Sequence, residues 1–422
     1  MLAAGLLFCG VVLRLVLGSS VLNQIMPYAT EGGFWFEKIH PGTFLIVLSA
    51  VAALLRSNGL SKFVHAMYTR SARVLIFLVV LALLTLHSAI FQGLSGLAYL
   101  LDTLIAPALA VAVLSVSPPW LSQQLCRLIV GFVILNSVVA VGEYVLQMHL
   151  LPESFIPGFA DFDSSDFRSR AFLDHPLNNA LITVTVLPFA IASAGTIIQR
   201  AAKGFVLLCA LLAFGARAAT VTGLVAILIM SVRGVWAQLK RGRSEWLIVG
   251  LITAMAFVTI LSLIIAITDL GARIFNNAYL DTSAMARFDL FRVFDYLSTS
   301  DVLFGIGFDR LQLILLRDKT LPIIENFWVG YVIQFGLVWA VPLAASIIYF
   351  LFPSKSHTPM VTLSFLLVAS TNNSLATKTP ALLICAILIY SAIHVGLSHK
   401  RPASVSGRVV RRPNKFASPS PR

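Results

Sequence analysis

The feature that most constrains this chain is a repeated one: apolar runs long enough to cross a bilayer, separated by short polar segments. A helix needs about 20 such residues to span about 30 Å of hydrocarbon, and a continuous apolar pattern selects helices over a barrel because only they satisfy their own backbone there. Runs near 3–22, 42–56, 73–91, 97–116, 123–147, 177–197, 203–216, 219–235, 245–268, 325–352, 357–371 and 379–398 predict about twelve spans. Those near 42–56, 203–216 and 357–371 are short, so a re-entrant segment or a merger with a neighbour stays open. Composition agrees, with 58% hydrophobic and 12% charged residues where a soluble domain carries about 25% charged. The expectation is an all-α polytopic membrane protein, with one integral membrane domain over 1–398 and a basic, Pro- and Ser-rich disordered cytoplasmic tail over 399–422.

Charge assigns the two faces, because cytoplasmic loops collect Lys and Arg. With the N-terminus inside, the inner segments hold Arg56, Lys62, Arg70, Arg73, Arg127, Arg200, Lys203, Arg233, Lys240, Arg241, Arg243, Lys355 and the tail from Lys400, most of the 31 basic residues. Glu245 is the only acid among them, of 18 in the chain. Both termini are therefore expected in the cytoplasm. The net charge of +13 follows from this bias and calls for no nucleic-acid partner. Cys9, Cys126, Cys209 and Cys385 fall inside spans with no C-x-x-C pair and read as small apolar residues. The first run lacks a charged leader segment and a small-residue cleavage site, so it reads as a first span.

Three ionisable groups interrupt the spans: Arg14, Asp102 and Glu143. An ionised side chain at mid-span costs at least about 2.5 kcal/mol, so each must face a cavity, find a partner, snorkel or lose its charge. A substrate path and a structural pair are both open for the two acids.

Chemistry is expected on the outer face, in loops near 148–176 and 269–324. The first holds Asp161-Phe162-Asp163, Arg168-Ser169-Arg170 and Asp174-His175-Pro176. Outer arginines run against the charge bias and offer a fork matched to phosphate oxygens; the alternative is pairing with Asp161, Asp163 and Asp166. Gly215-Ala216-Arg217-Ala218 joins two spans in a turn whose small residues let a large substrate approach Arg217. In the second loop Asp289, Arg292 and Asp295 share one helical face and Leu290, Val293, Phe294 and Leu297 the opposite one, which predicts an amphipathic helix on the membrane surface or over the bundle. Arg287, the Gly305-Ile306-Gly307 turn and Asp309-Arg310 lie in the same loop; Glu325-Asn326 opens the next span, and the hairpin from Asn372 to Pro380 adds Lys378.

The order and shared sidedness of these short motifs, from Arg168 to Pro176, Gly215 to Ala218, Gly305 to Gly307 and Glu325-Asn326, resembles the O-antigen ligase and Wzy-type polysaccharide polymerase superfamily, roughly over 165–350. Ligases of that superfamily usually carry His-Asn where this chain has Glu325-Asn326; that departure, with Asn372 to Pro380, resembles the exopolysaccharide-polymerase branch. The resemblance implies a glycosyltransferase of the GT-C type that takes its glycan from undecaprenyl diphosphate on the periplasmic side, with no nucleotide, metal or other cofactor. It also implies the bilayer as partner, alongside chain-length regulators and export proteins. Asp161-Phe162-Asp163 is similar to a metal motif of nucleotide-sugar glycosyltransferases, but it falls on the face where nucleotide sugars are absent.

Departure of a lipid diphosphate builds negative charge that fixed arginines can stabilise. Arg217, with Arg168 or Arg170 and Arg287 or Arg310, is expected to do so, with Arg292, Asn326, Asn372 and Lys378 as further substrate contacts. The attacking hydroxyl needs a proton acceptor; Glu325 is the first choice and His175 the second. The alternatives are a ligase moving a finished glycan to a lipid or protein, a lipid flippase, and a non-catalytic scaffold.

Overall fold

The protein is described by a computed structural model over residues 1–28, 34–57, 59–94, 96–151, 167–193, 195–268, 290–317, 324, 326–352 and 359–399. Among these residues every regular element is helical. In chain order they are α1 (Leu2–Val16), α2 (Ser19–Asn23), α3 (Pro41–Arg56), α4 (Leu60–Phe91), α5 (Leu97–Val116), α6 (Pro119–Leu146), α7 (Pro176–Ala192), α8 (Ile197–Ala213), α9 (Arg217–Leu239) and α10 (Glu245–Thr268). Then follow α11 (Thr299–Phe304), α12 (Gly307–Arg317), α13 (Phe327–Phe335), α14 (Leu337–Leu351), α15 (Pro359–Ala369) and α16 (Ala381–His399).

Four of these, α4, α5, α6 and α9, are long and apolar enough to cross a membrane by length and composition. Shorter apolar helices, α1, α3, α7, α14, α15 and the first part of α16, pack among them. The chain is a multi-pass membrane protein.

The centre of the bundle is α5 with α16. In α5, 83% of the apolar window is buried, and α16 buries every side chain from Ala381 to Ser391. By contrast α9 buries 22% of its window and turns Val221, Leu224, Val225 and Leu228 outward, where lipid replaces a protein neighbour. α10 packs on α9 at the same edge.

Small residues set the closest approach. α1 and α3 cross backbone to backbone, with the Gly10 Cα facing the Gly42 carbonyl; a Cβ on Gly10 would sit 2.8 Å from that oxygen. The Ser49 hydroxyl donates to the Ala3 carbonyl at 2.7 Å further along the same seam. Membrane helices lack a hydrophobic drive toward one another, so such close van der Waals contact and interhelical hydrogen bonding carries much of their association.

Several boundaries differ from the sequence reading. Residues 60–70, expected as an inner loop, form the first part of α4, which breaks at Ser71 (φ −161°, ψ 74°). Phe63 and Met67 bury one face of that part while Lys62, His65 and Arg70 stay exposed, so its charge does not prevent helix formation but only keeps it at the surface. The Thr196 capping box starts α8 at Ile197, so Arg200 and Lys203 are helical rather than linker residues.

The predicted amphipathic α-helix over 289–297 is a 3-10 helix, Leu290–Tyr296; Asp289 lies outside the described residues. Over seven residues a repeat of 3.0 and one of 3.6 place the same apolar residues together, so periodicity could not separate them. Val293 is fully buried there, in a small second core with Leu311, Ile324 and Ile333. The span expected over 325–352 is two helices, α13 and α14, broken at Gly336.

That break meets the Gly305 turn. Gly305 (φ 81°, ψ 161°) and Gly336 (φ 77°, ψ 160°) lie back to back, each with its Cα pressed on the other's backbone. The Ile306 N–H donates to the Ile333 carbonyl at 3.0 Å, and Gln92 Nε2 donates to the Gln334 carbonyl at 2.7 Å. This backbone region is essentially restricted to glycine, and another residue in it costs about 1–3 kcal/mol before any clash. Gly336→Ala should lower the melting temperature of the detergent-solubilised protein clearly, because its Cβ would meet the backbone of Leu303 to Gly305; an unchanged melting curve would contradict the junction.

Candidate functional site

The loop preceding α7 is fixed by a carboxylate from a long apolar helix. Glu143, near the C-terminal end of α6, accepts from Ser169 Oγ (2.6 Å), Arg170 N (3.0 Å) and Ala171 N (2.9 Å) through one oxygen and from Leu150 N (2.7 Å) through the other. Asn136 of α6 donates to Asn179 Oδ1 of α7 at 2.8 Å and accepts from Phe172 N at 3.0 Å. Asn179 in turn donates to the Arg170 carbonyl at 2.6 Å. Asp174 accepts from Ser20 N at 2.8 Å, tying the loop to α2. Ala171 (φ 41°) and Asp174 (φ 63°) hold positive φ, a strained state that persists only where converging contacts over-determine it.

The same loop is pinned to the turn that carries Arg217. Ser169 N donates to the Ala213 carbonyl at 3.1 Å, at the last residue of α8. Gly215 (φ 64°) then reverses the chain, and Arg217 is the first residue of α9. Arg168 and Arg170 flank Ser169, so the two backbone segments that carry the three arginines meet at one end of the bundle, and each arginine is half-buried.

His175 stands at the N-cap of α7, where its Nδ1 accepts from Leu177 N at 3.2 Å. Partial desolvation, and then the charge of Arg170, lower its pKa from the ordinary histidine value, so the ring is neutral at pH 7. With Nδ1 accepting, the neutral ring carries its proton on Nε2. In that tautomer the exposed ring offers a hydrogen-bond donor rather than a base.

The hairpin between α15 and α16 packs against α7 and α13 through its 3-10 turn, Ser374–Ala376. Asn326 caps α13 by accepting from Trp328 N at 2.9 Å, and its amide donates to the Ser370 carbonyl at 3.4 Å. Asn372 is buried, accepts from Ser374 N at 3.0 Å, and takes Phe327 N on its carbonyl at 3.3 Å. Both amides therefore shape the backbone where α13 begins. Lys378 donates to the Tyr28 and Lys38 carbonyls, each at 2.7 Å, and lies 4.3 Å from the Tyr28 ring centroid. Burial lowers its pKa to about 8. Its place in the fold is a clasp between two outer segments.

Beneath that clasp lies a buried ionic network. Arg14 Nη1 is 3.8 Å from Asp102 Oδ1, and Nη2 donates to the carbonyls of Asp102 (3.1 Å) and Thr379 (3.0 Å). Asp102 Oδ2 accepts from Tyr28 OH at 3.0 Å and its Oδ1 from His40 N at 3.1 Å. Of the readings open for Arg14 and Asp102, the structure has the partnered pair.

Arg310 forms a two-pronged bridge to Asp301 (2.6 and 3.1 Å) on the exposed α11–α12 hairpin, which packs on α13 and α14. Arg292 is exposed on the neighbouring 3-10 turn. Neither is brought to the Arg168–Arg217 corner by the contacts among described residues. Glu325, Arg287, Asp161, Asp163 and Asp166 lie outside the described residues.

A comparison with protein-family models gives no match, and no curated protein is significantly similar to the chain. The site therefore rests on its own geometry. Among the described residues no group of three or more His, Cys, Asp or Glu is placed to hold a metal ion. Sequence reasoning missed Asn136 and Asn179; the available signal was a pair of amides inside two otherwise apolar runs.

Proposed function

We propose that this chain is a polysaccharide polymerase, a membrane glycosyltransferase of the GT-C type that moves glycan units off undecaprenyl diphosphate at the outer face of a bacterial inner membrane. The observation that carries the reading is the Ser169–Ala213 bond, which joins the Arg168/Arg170 loop to the turn before Arg217 and so supports a shared site for these three cations. Three guanidinium groups are suited to a diphosphate, because each binds oxygen pairs through a planar fork and none needs a metal bridge. The order of the outer motifs and the basic bias of the opposite face support the same reading.

In this mechanism the arginines neutralise the departing lipid diphosphate, and His175, neutral with its proton on Nε2, donates a hydrogen bond to a phosphate or glycan oxygen. That leaves Glu325 as the acceptor of the attacking hydroxyl's proton. The roughly twelve-span topology with both termini inside is part of the same proposal.

The test is purified protein in liposomes, given a lipid-diphosphate-linked oligosaccharide without nucleotide or divalent metal. A ladder of repeats is the expected product. A single transfer to an added lipid or protein acceptor would replace the polymerase by a ligase. Intact donor moving between leaflets would overturn glycosyl transfer altogether.

A further inference from the structure

At the opposite end of the bundle from the arginine corner, a cavity of about 450 Å³ opens between α1, α3, α5 and α6. We propose that it binds the headgroup and first methylenes of an anionic phospholipid. The volume falls within the range of about 300–1,000 Å³ typical of small-molecule sites. Its inner wall presents methyl groups from Ala3, Ala4, Ala53 and Val116, all but the last nearly fully buried, and the two serines that also line it, Ser57 and Ser117, already donate to the Leu54 and Val113 carbonyls. No polar atom on that wall would be left unpaired by an acyl chain, and water there would find too few partners to be held.

The mouth has the opposite character. Arg56, on the last turn of α3, lines it with an exposed guanidinium that has no carboxylate partner among the described residues. Arg70 does not line the cavity, but its guanidinium donates to the Ser115 carbonyl, one residue before the cavity-lining Val116, and so places a second positive charge nearby. Trp120, 44% exposed, also lines the cavity, and indole rings favour the membrane–water interface.

This layering matches an amphiphile. Methyl groups meet the acyl chain, the indole meets the ester region, and Arg56, with the charge of Arg70 nearby, meets a phosphodiester. Basic pockets between membrane helices recognise anionic headgroups in this way. A zwitterionic lipid would bring an ammonium group against the same arginines, which sets the order of preference. Free phosphate would gain nothing from the methyl wall. The inference stands apart from the glycosyl-transfer reading, because no residue of the arginine corner takes part.

The experiment uses the full chain purified in a nonionic detergent, read by native mass spectrometry and by thermal melting. The probes are phosphatidylglycerol, phosphatidylcholine and inorganic phosphate. Phosphatidylglycerol is expected to remain bound and raise the melting temperature, phosphatidylcholine to bind more weakly, and phosphate to do neither. Arg56→Gln, at an exposed position that leaves packing alone, should weaken phosphatidylglycerol retention about fivefold, the weight of one arginine near an anionic headgroup. Ala53→Leu, which fills the cavity, should abolish it. Equal retention of the two lipids, stabilisation by phosphate alone, or unchanged retention in Arg56→Gln would overturn the proposal. Should Ala53→Leu fail to fold, Arg56→Gln alone decides.

Discussion

Arg217→Ala should reduce glycan transfer about 100-fold or more at unchanged protein level, the scale of losing one preorganised charge-stabilising donor. Arg217 opens α9, whose N-cap residue, Ala216, makes no side-chain cap bond, so truncation at Arg217 removes no helix cap. The small residues on either side, Gly215, Ala216 and Ala218, leave no bulky neighbour to fill its place. Arg217→Lys should recover only part of the rate, because an ammonium keeps the charge but loses the fork. Arg310→Ala serves as the comparison. Its guanidinium already bridges Asp301 on an exposed hairpin, so its removal should affect transfer far less. Initial rates on lipid-diphosphate donor in liposomes, normalised to protein amount, measure all three. Near-normal product from Arg217→Ala would remove this arginine from the mechanism.

The second large effect concerns stability. Arg14→Leu or Asp102→Leu should each cost about 3–5 kcal/mol, because either strands an uncompensated charge in the bundle. Asp102 is fully buried and Arg14 only 3% exposed, so neither can reach water without local unfolding. The double change should be milder than either single one, since removing both charges also removes the penalty of burying them. Yield from membranes and melting temperature in detergent measure this. Single variants as stable as the parent chain would contradict the pair, and additive losses in the double variant would contradict the coupling.

How much of this was legible in sequence depends on the distance over which each signal acts. Apolar runs reveal spans because composition alone decides what lipid tolerates, and the helices over 97–116, 245–268 and 381–399 lie close to those runs. Arg14, Asp102 and Glu143 stood out for the same reason, as charges where few are tolerated. Their partners did not: Arg14 and Asp102 are 88 residues apart, and no local pattern joins them. Glu143 is held by three donors 26 to 28 positions later, two of them backbone N–H groups that every residue but proline carries, so no residue type advertises the contact. The break at Gly336 was hidden in an unbroken apolar run, where one glycine among bulky neighbours looks unremarkable until another backbone is found against it.

Asp102 sits in a segment of α5, Leu100–Ile105, that winds as a π-helix. Such a stretch accommodates one more residue than the ordinary helical path between the same two ends. Deleting one residue of it would let α5 close as a regular helix with the faces of its two flanks preserved. Only the side chains inside the segment would be re-aimed, so Asp102 would lose its alignment with Arg14 while the apolar contacts farther along α5 stayed in place. The aim of one buried carboxylate thus depends on a count of backbone units, so a frame-preserving single-codon loss here is expected to do more harm than most substitutions of the neighbouring residues.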